Sequence, residues 1–275
     1  MLRRLDIDTV FGIPGVHTGG LYDALLDAPD VRHVMTRHEQ GAAFMADGYA
    51  RASGRVACLS TITGPGITNA ATGLGEAYAD SSPVLHIATA VEAHRPGFES
   101  GELHELRDQS GLLRALVAHH ESVAEVPEIP AALVRAMRAI RTGRPGPASV
   151  EIPLGLLSQR TDVTLPAAPR FERKGPQPTA IEAAARLLAA AAAPVIYVGG
   201  GGMDAGSAIV AVAEKLQAPI MTFPSGKGAV PESHPLALGC PARSNPALIE
   251  FLESRDVGLV IGARLGRVPL RPERA

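Results

Sequence analysis

Short apolar runs alternate with stretches of helical periodicity along most of the 275-residue chain. Continuous apolar runs are typical of parallel strands, because both faces of a parallel sheet are covered. In the first half the pattern predicts strands at residues 9–12, 31–36, 55–61, 84–88 and 148–152. It predicts helices at residues 20–26, 41–53, 68–80 and 129–142. This alternation indicates βαβ units and an α/β fold with a mainly parallel sheet.

A change of pattern divides the chain in two. Residues 159–178 are polar, rich in proline and without periodicity, which predicts a linker. Thr179 and Glu182 then have capping-box spacing, which predicts the start of a helix over residues 180–192. Further strands are predicted at 194–198, 219–223 and 257–262, and further helices at 207–216 and 245–254. We therefore predict a first domain over residues 1–158 and an incomplete Rossmann-like central domain over residues 179–275. The last residues, 267–275, are basic and are predicted to form no helix or strand.

Composition excludes several classes of protein. A formal net charge of -2 gives no electrostatic footprint for nucleic acid or for an anionic membrane surface. No apolar run reaches the roughly 18 residues of a membrane span, and the first residues do not form a signal peptide. The two cysteines, Cys58 and Cys240, make no disulfide framework. We expect a cytoplasmic enzyme or enzyme subunit with neither a nucleic acid nor a membrane as partner.

Two glycine–proline turns bracket a lone carboxylate, Glu39, at the boundary between a predicted strand and a predicted helix. The first turn is FGIPG at 11–15, and the second is TGPG at 63–66, followed by Asn69. Glu39 itself lies in RHEQGAA at 37–43. Further on, the chain reads GRPGP at 143–147, EIP at 151–153 and GKG at 226–228. In this order, the segments resemble the pyrimidine-binding and central domains of thiamine-diphosphate enzymes of the acetolactate synthase type.

The resemblance implies roles for individual residues. In that family the glutamate at this place hydrogen-bonds a ring nitrogen of the aminopyrimidine and so activates the coenzyme, which makes Glu39 the expected catalytic residue. Without the surrounding motifs, Glu39 would be interpreted as an ordinary carboxylate at a helix N-terminus, which the helix dipole stabilises. The residues expected to line the cofactor with Glu39 are Pro14, Gly15, Thr63, Gly64 and Asn69. His17 and His104 are expected in the substrate pocket, and His104 stands where acetolactate synthases usually carry glutamine.

The activity implied is carbon–carbon ligation or decarboxylation of 2-oxo acids. Acetolactate synthase-like carboligation, a step of branched-chain amino acid biosynthesis, is the first expectation, and a 2-oxo acid decarboxylase is the alternative. Nothing in the sequence resembles the Gly-Asp-Gly…Asn segment that holds Mg²⁺ and the diphosphate in the family. We therefore expect only the pyrimidine half of the thiamine diphosphate site here, and no metal ligands. Residues 239–243 lack the usual flavin-contacting pattern, which puts FAD in doubt.

The same resemblance implies partners. Active sites in the family lie between the pyrimidine domain of one chain and the diphosphate domain of another. We expect a homodimer through the pyrimidine-binding domain, with the small-residue helix 41–53 in the contact. We also expect a diphosphate-binding partner that carries Mg²⁺, which makes this chain the N-terminal part or subunit of a split enzyme; an inactive truncated remnant is the alternative. The family's leading helix is expected to be mostly absent before residue 9.

Two other motifs have simple structural interpretations. Gly200, Gly202 and Ala205 fit a dinucleotide fingerprint after a strand, but the acid expected at the end of the next strand is missing. A tight strand-to-helix turn is therefore favoured there. His119 and His120 are adjacent, a spacing that seldom converges on one metal ion, and they are predicted to lie on a surface turn.

Overall fold

The computed structural model describes residues 1–91, 101–172, 175–240 and 245–264. The chain forms two compact units, Met1–Lys174 and Gly175–Ala275. Residues 241–243 of the expected flavin-contacting segment and residues 267–275 of the predicted irregular end lie outside the described residues. No helix in the described ranges is both long and apolar enough to cross a bilayer.

The first unit is built on a parallel sheet of six strands in the order β2-β1-β3-β4-β6-β5. The strands are β1 (Thr9–Gly12), β2 (Arg32–Met35), β3 (Ala57–Thr61), β4 (Val84–Ala90), β5 (His119–Ser122) and β6 (Ala148–Pro153). The helices are α1 (Gly19–Leu26), α2 (Glu39–Ser53), α3 (Pro65–Asp80), α4 (Gln109–Leu116), α5 (Ile129–Thr142) and the short α6 (Leu154–Leu157). The α/β fold with a parallel sheet is confirmed.

Both faces of this sheet are covered, as its apolar strands require. One face packs against α5 through residues such as Met137 and Ile140. On the other face, α2 contributes a row of small buried residues, Ala42, Ala43, Ala46 and Ala50. A Cβ atom at Gly73 of α3 would overlap the Cβ atom of Ala43. The small side chains therefore allow α2 and α3 to pack closely, which brings the starts of the two helices together.

The second unit has a smaller parallel sheet of four strands in the order β10-β7-β8-β9. The strands are β7 (Pro194–Val198), β8 (Ile220–Thr222), β9 (Ala237–Gly239) and β10 (Val257–Ile261). The helices are α7 (Pro178–Ala189), α8 (Gly206–Leu216) and α9 (Pro246–Glu253). Its core lies between β7, β8 and α8, around Ile196, Ile209 and Ile220.

The glycine run after β7 is used for close packing of the backbone. The Gly201 N–H donates to the carbonyl oxygen of Gly262 at 3.0 Å. Side chains at Gly199 or Gly201 would collide with Gly262, so the end of β10 occupies the space beside the run. The chain here forms a 3-10 helix over Gly200–Ala205, in place of the tight turn favoured from the sequence. This packing gives the glycines a structural reason that involves no dinucleotide.

Several element boundaries differ from the predictions. α2 begins two residues early, at Glu39, because the His38 ring caps it by accepting from Gln40 N at 3.2 Å. α7 begins at Pro178 after Gln177 with no side-chain cap, so the predicted capping box at Thr179 is wrong. The predicted surface turn at His119 is also wrong, because that residue begins edge strand β5. α4 was not predicted either.

Candidate active site

The motifs that follow β1, β2 and β3 meet at one edge of the first sheet. β1 leads through α1 to β2 on one side, and β3 leads through α3 to β4 on the other side. Connections that diverge in this way leave a crevice at the carboxyl ends of the strands, where open α/β sheets bind ligands. Residues 11–15, Glu39 and residues 63–66 all come at or just after the carboxyl ends of these strands. The sheet topology thus explains why segments distant in sequence form one site.

Glu39 is the first residue of α2 and is half-buried. Its Oε2 accepts a hydrogen bond from Asn69 Nδ2 of α3 at 2.9 Å. Within the described ranges, Oε1 of Glu39 makes no hydrogen bond. A helix N-terminus favours a negative side chain at this position. The carboxylate is therefore fixed through one oxygen, while the other is available to a ligand. Glu39 and Asn69, both expected at the site, are brought together.

The turn before α3 has a conformation that requires glycine. Gly64 has φ 62° and ψ -111°, and a Cβ there would overlap the carbonyl oxygen of His104. The preceding residue, Thr63, is 1% exposed, and its hydroxyl donates to Gln109 Oε1 at 2.6 Å. The Thr63 hydroxyl is thus used inside the protein, and only the backbone of this turn is left to face a cofactor.

The first glycine–proline turn leads directly into the substrate-pocket candidate His17. Pro14 is exposed and Gly15 is half-buried. The Gly15 N–H donates to Thr18 Oγ1 at 3.0 Å, and the Thr18 N–H donates back to the Gly15 carbonyl at 3.0 Å. This closed turn places His17 inward, where it is 6% exposed.

His17 and His104 form a pair. Their ring centroids are 5.4 Å apart in an edge-on arrangement. The Nδ1 atom of each ring is buried without a hydrogen-bond partner among the described residues. Burial lowers the pKa of His17, as does the nearby His104, whereas Glu102 acts in the opposite direction. His104 has φ 69°, a left-handed conformation held by its approach to Gly64. The hydrogen-bonding capacity of these two nitrogens is thus not used among the described residues.

A cleft opens beside this pair. Its wall includes Val16 of the turn before α1, Gly20 of α1, Glu102, and Leu154 and Leu157 of α6. Glu102 is the acidic member, and no basic side chain lines the cleft in the described residues. Such a lining suits a small ligand with an apolar body and a cationic or hydrogen-bond-donating end.

Two groups of buried polar residues near the crevice were not predicted from the sequence. The hydroxyls of Tyr22 and Ser60 are buried under the crevice, and burial raises the pKa of Tyr22 to about 12, an effect that the neighbouring Ser60 hydroxyl opposes. Glu151, at the carboxyl end of β6, is 4% exposed and bonded to Gln109. A charged residue inside the apolar run 148–152 was a usable signal for Glu151. Nothing in the periodicity distinguished Tyr22 or Ser60.

The crevice fits the pyrimidine side of thiamine diphosphate. It offers a half-buried carboxylate with a free oxygen, a glycine backbone turn and buried polar atoms that lack partners. Across residues 1–91, 101–172, 175–240 and 245–264, no group of His, Cys, Asp or Glu side chains is placed to hold a metal ion. These residues could therefore hold the flat ring, whereas no metal-bound diphosphate site is found among them.

Comparison with known proteins agrees with this geometry. The thiamine pyrophosphate enzyme N-terminal TPP-binding domain matches residues 1–112, and the central domain of the same enzymes matches residues 181–272. A probable 2-ketoarginine decarboxylase of Pseudomonas aeruginosa is 40% identical over 100% of this chain and 49% of its own length. A probable acetolactate synthase large subunit of Methanocaldococcus jannaschii is 36% identical over 96% of this chain and 46% of its own length.

The acetolactate synthase large subunit of Corynebacterium glutamicum is likewise 36% identical over 96% of this chain, and 43% of its length is covered. The chain thus spans about half the length of the curated relatives it matches. Both domain matches follow the order of the two compact units. The chain belongs to the thiamine-diphosphate-dependent enzymes of the acetolactate synthase type.

Proposed function

We propose that this chain supplies the pyrimidine-binding half of an active site that removes CO₂ from a 2-oxo acid, with Glu39 as the catalytic residue. The observation that carries the proposal is the placement of Glu39. Its carboxylate stands at the crevice between β1 and β3, fixed on one oxygen by Asn69 and free on the other. Thiamine diphosphate, when bound, supplies the carbon nucleophile and accepts the electrons that remain as CO₂ leaves.

The protein's own contribution is orientation and proton control. Asn69 holds Glu39 Oε2, so a proton carried by the carboxyl group is directed to Oε1. A general acid–base group works only within hydrogen-bond reach of the atom it serves. The backbone of the turn at Gly64, and the open space beside Gly41 in the first turn of α2, leave room for a flat ring to approach. Glu39 would hold and pass the proton at Oε1.

Two reactions of the 2-oxo acid are proposed, in order of preference. Acetolactate synthase-like carboligation, in which a second carbonyl compound is joined to the first, comes first. Decarboxylation alone is the second candidate, and the His17–His104 pair favours it, because imidazole rings are the side chains that most often transfer protons in enzymes. Glu102 beside His17 would suit a substrate with a cationic side chain, such as 2-ketoarginine.

The diphosphate and its Mg²⁺ are proposed to be held by residues other than those described, either elsewhere in the polypeptide or in a partner chain. The isolated chain should then bind thiamine diphosphate negligibly. Titration calorimetry with Mg²⁺ present measures this, and micromolar affinity would contradict it. FAD is not part of the proposal.

The activity is tested by co-expressing this chain with the half of the Pseudomonas aeruginosa relative that it does not match. CO₂ release from pyruvate with acetolactate as product would support carboligation. CO₂ release from 2-ketoarginine with an aldehyde as product would support decarboxylation. A purified complex that binds thiamine diphosphate yet releases no CO₂ from either 2-oxo acid would contradict the proposed function.

Self-association is also proposed, through α2. The small residues of α2 are buried within the unit, so they are not available for a second chain. The exposed face instead carries Phe44 and Met45, which are 42% and 49% exposed. Large apolar side chains side by side on one helix are typical of a protein–protein contact. A second copy of this chain is the proposed occupant of that face.

A further inference from the structure

A buried carboxylate lies behind the turn that precedes α3. Glu151 is near the carboxyl end of β6, which is separated from β3 by β4 in the sheet. The donors around its two oxygens are Gln109, Ser110, His120 and Ser122. Although burial alone would raise the pKa of Glu151, the hydrogen bonds from these side chains lower it to about 2. Glu151 is therefore an anion, and a buried anion is tolerated only with such partners.

Gln109 connects this anion to the turn. It is the first residue of α4 and is 9% exposed. Its Nε2 donates to Glu151 Oε1 at 2.6 Å and to the Thr89 carbonyl at 3.0 Å. Its Oε1 accepts from Thr63 Oγ1 at 2.6 Å and from Gly64 N at 2.9 Å. An amide side chain has two donor and two acceptor positions, and all of them are used here.

The charge on Glu151 acts together with the Thr89 carbonyl and the Gly64 N–H to set which way the Gln109 amide faces. An ionised carboxylate can only accept hydrogen bonds, so the NH₂ group of Gln109 must point at it. The amide oxygen must then point at the turn, where both neighbouring groups are donors, the Thr63 hydroxyl and the Gly64 N–H. A neutral amide in place of Glu151 would weaken this constraint, because it could pair with either orientation of Gln109 and would leave only the Thr89 carbonyl and the Gly64 N–H to set it.

The Thr63–Gly64 turn determines where α3 begins. Gly64 is the N-cap of α3 and has no side-chain cap of its own. Its carbonyl accepts from the N–H groups of Ile67 and Thr68 at 3.1 and 3.0 Å. One residue further on, Asn69 donates to Glu39. A displacement of the turn therefore moves the donor that fixes Glu39.

We propose that Glu151 and Gln109 are positioning residues, which hold the Thr63–Gly64 turn so that Asn69 meets Glu39. The inference rests on the proposed role of Glu39. Neither positioning residue need touch the substrate or the cofactor. Two hydrogen bonds connect them to the turn: Gln109 Nε2 donates to Glu151 at 2.6 Å, and the Gly64 N–H donates to Gln109 Oε1 at 2.9 Å.

The test uses the full chain without cofactor and follows amide hydrogen exchange by NMR. The variants are Glu151→Gln and Gln109→Met, which nearly preserve shape. Ser122→Ala is the matched control, because it removes a hydrogen bond to Glu151 yet leaves the Gln109 amide in place. Both variants should raise exchange of the Gly64 amide and the first amides of α3 at least tenfold. Exchange in β1 and in the second unit should stay within twofold of wild type.

A second readout follows the bond to Glu39. The side-chain NH₂ resonances of Asn69 report that bond, and Glu39→Ala gives their position when it is lost. Glu151→Gln should move them at least halfway toward that position, and Ser122→Ala should not. The proposal is overturned if Gln109→Met and Ser122→Ala exchange alike at Gly64, or if exchange rises equally throughout the first sheet. Because no catalysis is measured, this outcome is independent of whether Glu39 proves catalytic.

Discussion

At the scale of single residues, the first unit depends on buried polar groups that are held in one charge state. His86 is fully buried at the centre of the sheet. Its Nε2 lies 2.9 Å from Thr61 Oγ1 and its Nδ1 lies 3.1 Å from Ser149 Oγ. Burial lowers the pKa of His86 from 6.5 to about 3. The neutral ring is therefore part of the fold, which makes stability depend on pH.

For His86 the folded pKa lies below the unfolded one, so the unfolded chain binds the additional proton. The resulting stability is complete above pH 6.5 and is lost as pH falls toward 3. Between pH 7 and pH 5 this amounts to about 2 kcal/mol. His86→Gln keeps a donor and an acceptor without the titration, so its loss of unfolding free energy over that range should be smaller by about 2 kcal/mol. Urea denaturation at both pH values measures this, and an unchanged loss would refute it.

Gly64 is the second residue on which the site depends. Gly64→Ala combines a disfavoured backbone conformation with overlap of the His104 carbonyl. We expect a loss of roughly 2 kcal/mol or more in the free energy of unfolding. Gly75→Ala, on the same connection but with open space around its Cα, should instead be neutral or stabilising by up to about 1 kcal/mol. Equal stability of the two variants in urea would show that the turn is not under this constraint.

At the scale of elements, the close packing of α2 on α3 places Asn69 next to Glu39. Gly73→Ala inserts a methyl group against the Cβ and backbone of Ala43. Such overpacking should cost about 1–3 kcal/mol. The matched variant Gly48→Ala, on the exposed side of α2, should gain about 0.5–1 kcal/mol from helix propensity. Thermal unfolding of both variants decides this; a Gly73→Ala protein as stable as Gly48→Ala would contradict the packing described here.

The elements that the sequence could predict are those with a strong local signal. β1, β7 and α5 begin and end at the residues that their apolar patterns predict. α4 and β5 were missed because their residues, QSGLLRAL and HHES, are polar at positions that tertiary contacts bury. Gln109 and the His120 side chain are buried and both contact Glu151, which lies 42 residues from Gln109 along the chain. Local periodicity carries no information about such a pairing.

The same limit applies to the site. Glu39, Asn69 and the glycine turns were predictable because each lies directly after a recognisable strand, and the sheet brings those ends together. The orientation of Thr63 toward Gln109 was not predictable, because it depends on a residue 46 positions away. The pairing of His17 with His104 depends similarly on the loop that crosses the Gly64 turn.

At the scale of the whole molecule, self-association is the property that the surface of α2 predicts. Met45→Glu would place a charge at the centre of the proposed contact, so the protein should shift from dimer to monomer in analytical ultracentrifugation. Leu187→Glu is the control, since Leu187 is 62% exposed on α7 in the second unit. A Met45→Glu protein that sediments like wild type would remove α2 from the contact.

Glu39 is the proposed catalytic carboxylate, and its substitution by glutamine is the decisive experiment. In the co-expressed complex, Glu39→Gln keeps the size of the side chain and an oxygen for Asn69, but removes the acid. Glu76→Gln, at an exposed position of α3, is the matched control. A catalytic role of Glu39 predicts that Glu39→Gln lowers the rate of CO₂ release at least a hundredfold while assembly is intact, and that Glu76→Gln retains the wild-type rate. A Glu39→Gln complex with a rate within tenfold of wild type would contradict it.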